Sequence, residues 1–318
     1  MNLQRMIYKV CGQPLITNTK NVFSVLSIRL KHDKNDLEEH KKKVMARGLP
    51  EKKPLPGVKS IILVASGKGG VGKTTTAVNL ACAMKVIEPD KEIGLLDADV
   101  FGPSVPLMMN ISGEPMLNDN HLIEPLLNYG VKCMSMGLLV SGENAVVWRG
   151  LMVMQALDRL TRHVAWGPLD CLIVDTPPGT GDTHLSLAQN LPIDGAIVVT
   201  TPQSAALQVT KRGVNMFEKL KVPIIGLVEN MSHAMCSKCG TKNFIFGNET
   251  KKTANEMRLD IIESFEVDAN MSECINSGKP AIYALPDSTH AEKYRQLANR
   301  VFKYIGDKNI THAKAKEQ

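Results

Sequence analysis

Residues 67–74 read Gly-Lys-Gly-Gly-Val-Gly-Lys-Thr, and this octapeptide leaves the chain little choice of architecture. Its glycines let the backbone curl until successive N–H groups point inward and cradle an anion. Gly67 and Gly72, followed by Lys73 and Thr74, have the spacing of a phosphate-binding loop. Such a loop belongs between a buried strand and a helix, whose N-terminus adds unpaired N–H groups and the positive end of its dipole. The flanks agree: residues 60–65 are apolar and β-branched, and residues 74–86 carry a helical pattern. In such a loop Lys73 meets the β- and γ-phosphates and Thr74 offers a hydroxyl to Mg²⁺, with Gly69, Gly70, Val71 and Thr75 completing the cradle.

Downstream, strand-like runs at 92–96, 131–136, 171–174, 195–200 and 223–228 alternate with helical patterns near 150–162, 183–189 and 205–220. A last helix is expected over 288–305, with Ala291, Tyr294, Leu297, Val301 and Ile305 on one stripe. Apolar residues make up 43% of the chain but aromatics only 4%, so the core must be aliphatic. Near-continuous apolar strands alternating with helices predict an α/β fold: a three-layer, doubly wound, mostly parallel sheet with ligands at the carboxyl ends of its strands.

The other acidic motifs fall at those ends. Leu95-Leu96-Asp97-Ala98-Asp99 closes one strand, and two carboxylates at this spacing suit work around Mg²⁺ and an attacking water. A second strand ends at Asp175, the place of the carboxylate that holds Mg²⁺ directly or through water, and runs into Pro177-Pro178-Gly179-Thr180-Gly181-Asp182. The Asn/Thr-Lys-x-Asp tetrapeptide of guanine readers is missing, while Asn230 follows the strand at 223–228 and could bond adenine, so ATP is the expected nucleotide. Lys68, directly after the first glycine, resembles the extra lysine of deviant Walker A loops. That resemblance implies a nucleotide-sandwich dimer in which Lys68 reaches the partner's phosphates, as an arginine finger does.

Cys236 and Cys239 form a Cys-x-x-Cys pair shortly after Asn230. Two thiolates in a tight turn can converge on one soft metal ion or cluster, yet an iron–sulfur cluster or structural zinc normally takes four ligands. A symmetric dimer presenting the pair at its two-fold axis supplies them. Spacing alone leaves four readings open: cluster, zinc, redox dithiol or inert thiols. Cys82, Cys133, Cys171 and Cys274 stand alone, and Cys82 and Cys171 fall in apolar patterns of core residues. Seven scattered cysteines do not read as a disulfide framework.

The formal charge of +6 is almost accounted for by Arg5, Lys9, Lys20, Arg29 and Lys31, in a stretch without Asp or Glu. The remainder is near neutral, so a nucleic-acid-binding body is not indicated. Leu3, Met6, Ile7 and Val10 share a helical face opposite Arg5 and Lys9, the signature of a mitochondrial transit peptide. No apolar run reaches the roughly 18 residues of a membrane-spanning helix. The expected layout is a transit peptide at 1–37, a charged linker at 38–57, the P-loop domain at 58–308 and a polar tail at 309–318.

The loop at 67–74, residues 97–104, residues 175–182 and Glu229-Asn230-Met231-Ser232 followed by Cys236 and Cys239 together resemble the Mrp/ApbC family of iron–sulfur P-loop ATPases. The likeness spans about 250 residues. It implies a homodimer bridged by a labile [4Fe–4S] cluster on Cys236 and Cys239, slow ATP hydrolysis, and delivery of the cluster to apo iron–sulfur proteins. By the same resemblance Asp99 activates water, Asp97 supports the metal, and Lys68, Lys73 and Asp99 form the catalytic set. Together with the transit-like N-terminus it implies the mitochondrial matrix, with respiratory complex I subunits as recipients. Ser237 stands where family members often carry proline, and the N-terminal four-cysteine motif of cytosolic relatives is missing, with Cys11 alone there. Two other readings are a positioning ATPase without a cluster, which would want a basic or membrane-binding face, and a thiol oxidoreductase, which would not need the phosphate loop.

Overall fold

The computed structural model describes residues 52–139 and 150–316; the expected transit peptide and most of the charged linker lie outside the described residues. The strands are β1 (Ile61–Ser66), β2 (Ile93–Asp97), β3 (Leu126–Asn128), β4 (Val131–Ser135), β5 (Cys171–Asp175), β6 (Gly195–Thr200), β7 (Ile224–Glu229), β8 (Ala234–Met235), β9 (Lys242–Asn243) and β10 (Ile261–Ser264). The helices are α1 (Lys73–Ile87), α2 (Val105–Met108), α3 (Gly150–Arg162), α4 (Asp182–Asn190), α5 (Ser204–Lys219), α6 (Thr250–Met257), α7 (Ala269–Asn276), α8 (Ala281–Ala284) and α9 (Thr289–Lys316). Eight strands form one sheet in the order β10-β7-β6-β1-β5-β2-β4-β3, and every neighbouring pair except β3–β4 is parallel. Strands β8 and β9 make a separate antiparallel hairpin.

Burial explains why β1, β2, β5 and β6 read as unbroken apolar runs: every residue of each is buried. Helix α1 lies against β1, β2 and β5 and also against α9, so it is covered nearly all round. Its Ala77, Leu80, Ala81, Cys82, Ala83 and Met84 are fully buried, and the small side chains let sheet and helix approach closely. The expected stripe on α9 is buried at Ala291, Tyr294, Leu297 and Val301, with Ile305 packed at its edge.

The register sets up the site. Val64 and Asp97 both pair with Asp175, so β1, β5 and β2 end side by side and their loops emerge together. Two boundaries differ from the expected layout. Leu55 is buried and Lys53 N–H donates to Asn190 C=O at 3.0 Å, so the body begins inside the expected linker. Helix α9 runs to Lys316 through the expected polar tail, where alanines and lysines favour helix and no glycine or proline stops it.

Candidate functional site

The phosphate loop joins β1 to α1. Gly70 (φ 78°) and Gly72 (φ 86°) are left-handed, a conformation that disfavours side chains. Gly72 caps α1 without any side-chain hydrogen bond, so the first N–H groups of the helix are left for an anion. The loop walls a cleft of about 340 Å³ lined by Ser66, Gly69, Gly70, Gly72, Lys73, Thr74, Thr75, Asp99, Ser104, Met108, Pro178 and Met231. Gly67 lies outside that lining, buried against α5, where an added Cβ would stand 2.7 Å from Val209 C and Thr210 N.

At the floor, Lys73 Nζ lies 2.5 Å from Asp175 Oδ1, and Thr74 Oγ1 donates to Asp175 Oδ2 at 2.7 Å. A hydroxyl beside a carboxylate at the base of a phosphate cradle is a donor set that fits Mg²⁺. Burial raises the Asp175 pKa, and the Lys73 ammonium opposes the rise. Asp97 is also fully buried, and its two oxygens are taken up by the chain itself. Oδ1 accepts from Asp99 N–H at 3.1 Å. Oδ2 accepts from Ser104 N–H (3.1 Å), Val105 N–H (3.2 Å) and the Ser135 hydroxyl (3.0 Å). Burial, then the neighbouring Asp175 charge, push its pKa up to about 7, while the Val105 and Ser135 bonds pull the other way. Asp97 thus shapes the loop that carries Asp99, and Asp99, half-buried, faces the cleft.

Lys68 is exposed and reaches Gln203 Oε1 at 3.3 Å. Asn230 Nδ2 donates to Val71 C=O at 2.9 Å, bracing the phosphate loop. Sequence reasoning passed over His184, which is buried with Nε2 3.0 Å from Thr176 Oγ1, directly after Asp175. Its Nδ1 has no partner among the described residues, and burial, then Lys73, lower its pKa to about 4. A lone histidine in a helical pattern carries no signal; only the fold sets it beside Thr176.

Cys236 and Cys239 sit apart from the cleft at the tip of the β8–β9 hairpin, both exposed. Cys236 N–H donates to Thr241 C=O (3.0 Å), Gly240 N–H donates to Cys236 C=O (2.9 Å), and Cys239 Sγ lies 3.2 Å from Thr241 Oγ1. The Thr241 hydroxyl, then its backbone, then Cys236, lower the Cys239 pKa, which favours the thiolate that binds metals. Among the described residues no group of three or more His, Cys, Asp or Glu could hold a metal; the hairpin tip offers two thiols.

Comparison with known proteins fits this geometry. The ParA profile described as "NUBPL iron-transfer P-loop NTPase" matches residues 57–302. This chain belongs to that family. Among NUBPL-type relatives, the iron-sulfur cluster transfer protein NUBPL of Mus musculus is 49% identical over 270 residues, covering 85% of each chain. The Arabidopsis thaliana iron-sulfur protein required for NADH dehydrogenase, mitochondrial, is 51% identical over 250 residues, covering 78% of this chain and 80% of its own. The Escherichia coli iron-sulfur cluster carrier protein is 44% identical over 77% of this chain and 66% of its own length. Among solved structures, the Archaeoglobus fulgidus nucleotide-binding protein in complex with ADP has a TM-score of 0.61 at 32% identity, covering 70% of this chain and 88% of that one. The Pyrococcus furiosus cell division ATPase MinD, at 20% identity and TM-score 0.58 over 77% of this chain and 98% of its own, shares the fold. The family and the α/β P-loop architecture read from the sequence are both borne out. No helix among the described residues is long and apolar enough to cross a membrane.

Proposed function

We propose that this chain is an ATP-hydrolysing carrier that holds a labile [4Fe–4S] cluster and passes it to apo iron–sulfur proteins. The observation that carries the reading is the exposed Cys236/Cys239 hairpin on a P-loop body whose relatives are named cluster transfer and carrier proteins. A cluster takes four thiolates and one chain brings two, so the cargo sits between two copies of the chain. In that homodimer ATP and Mg²⁺ occupy the cleft: Lys73 and the loop amides hold phosphate, and Thr74 and Asp175 hold Mg²⁺. Asp99 orients the attacking water, and Lys68 stabilises charge on the partner's nucleotide. Asn230 steadies the loop and stands near the base. The basic amphipathic N-terminus, read as a transit peptide over 1–37 ahead of a P-loop domain, supports the mitochondrial matrix as its location. The printed name of the Arabidopsis relative supports complex I subunits as recipients.

Anaerobic reconstitution with iron and sulfide, read by absorption, EPR and molecular mass, tests this reading. One [4Fe–4S] cluster per two chains, lost in Cys236→Ala/Cys239→Ala, is the expected result. Tight zinc without a cluster, or a monomer indifferent to the double substitution, would overturn it.

A further inference from the structure

Only five residues separate the phosphate loop's brace, Asn230, from the first cysteine, and the structure fixes nearly all of them. Asn230 is held twice: its N–H donates to Thr200 C=O at 2.8 Å, and its side chain donates to Val71 C=O at 2.9 Å. Contact with the loop is direct, since a Cβ at Gly72 would stand 2.1 Å from Asn230 Nδ2. On the far side, Ser232 N–H and Oγ both donate to Phe265 C=O, at 2.9 and 3.0 Å. Val267 N–H donates to His233 C=O at 2.8 Å, and Ala234 bridges to Val267. Ala234 and Met235 are then strand β8, which leads straight into Cys236.

Between these two anchored stretches stands Met231. Its φ is 56°, left-handed, which a side chain adopts only when its surroundings impose it. Within the described residues its backbone forms no hydrogen bond, and its side chain lines the nucleotide cleft. Two tethered segments meeting at one untethered, strained residue form a joint, and this joint touches the space a nucleotide would fill.

We infer that Met231 is the joint through which nucleotide in the cleft re-aims the Cys236–Cys239 turn. Nucleotide displaces the Met231 side chain and shifts the Val71–Asn230 brace. Rotation at Met231 then passes along 232–235, which hydrogen bonds to the segment Phe265–Val267, just past β10, guide as one piece. Because such coupling is reciprocal in free energy, cargo at the cysteines also changes nucleotide affinity by the same factor. The inference rests on the reading of Cys236 and Cys239 as the cargo site, but its test needs no cargo.

The test measures alkylation of Cys236 and Cys239 by iodoacetamide in the full chain, without nucleotide and with saturating Mg²⁺ and a non-hydrolysable ATP analogue. Wild type is expected to change rate by at least about fivefold, the lower end of ordinary allosteric coupling. Met231→Gly accepts the left-handed φ without transmitting rotation, and its ratio should fall to near one at saturating analogue. Ser232→Ala lies outside the cleft lining, and with the analogue saturating a change in its affinity does not enter the ratio; that ratio should fall by at least about half. A wild-type ratio of one, or a wild-type ratio retained in both variants, would overturn the inference. Failure of cluster reconstitution with a nucleotide-sensitive alkylation rate would instead fault the cargo reading and leave the joint standing.

Discussion

Lys73 and Asp175 hold each other in the floor of the cleft, 6% and 0% exposed, so each is more than a ligand-binding group. Removing Lys73 leaves a buried carboxylate with only Thr74 for company, a loss on the order of 3–5 kcal/mol when the charge stays. Burial already raises the Asp175 pKa, so the orphaned group escapes by taking a proton. Lys73→Ala should therefore melt lower than wild type, with the gap narrowing as pH falls, and parallel melting curves across pH would contradict it. His184 gives a second pH signature. Its pKa falls from an ordinary 6.5 to about 4 in the fold, so between those values the unfolded chain binds a proton that the native state refuses. Stability is then lost as pH falls through that window, by about 3 kcal/mol at its lower end. His184→Gln cannot titrate, and its stability should fall less steeply than wild type between pH 6.5 and 5 in denaturant titrations.

At the scale of elements, the phosphate loop makes a contrast between two glycines of nearly equal φ. An alanine methyl at Gly70 meets nothing within 4 Å, whereas one at Gly72 would stand 2.1 Å from Asn230 Nδ2. Gly70→Ala should cost about 1–2 kcal/mol of backbone strain and still bind ATP. Gly72→Ala should break the brace as well, cut nucleotide affinity at least about tenfold and destabilise further. Calorimetric titration with ATP separates the two. This loop was legible in the sequence because its chemistry is local: glycine, lysine and threonine at fixed spacing between a strand and a helix. Six strands of the sheet were equally legible: β1, β2, β5 and β6 are buried at every residue, and β4 and β7 are buried or half-buried throughout. The edge strands β3 and β10 were not, because three or four half-buried residues leave no period to read. The hydrogen-bond partner of Asn230, Val71, lies 159 residues away, and only the fold could reveal that bond. The cysteine pair was legible as a pair. Its seat on a hairpin was not, since two-residue strands carry no pattern.

At the scale of the molecule, helix α9 packs over α1. Ala291, Tyr294, Leu297, Ala298 and Val301 are buried, and Lys308 and Tyr304 tie the helix to Asp194 at the foot of β6. Ending the chain at 288 would expose those side chains and the α1 surface beneath them, a loss on the order of 10 kcal/mol and comparable to a whole domain's stability. That truncation should not fold, whereas ending at 309 should melt within a few degrees of the full chain. The same closed body carries two separate chemistries, a phosphate cleft and a thiol-bearing tip, and their joint use is the central claim. Its most direct measurement is single-turnover transfer of cluster from the reconstituted protein to an apo iron–sulfur acceptor, with and without MgATP, for wild type and Lys73→Ala. Transfer that MgATP accelerates in wild type, and that Lys73→Ala fails to accelerate while still holding its cluster, is the expected result. Transfer at one rate in all four cases would contradict it and leave the ATPase and the thiols as unconnected features of one fold.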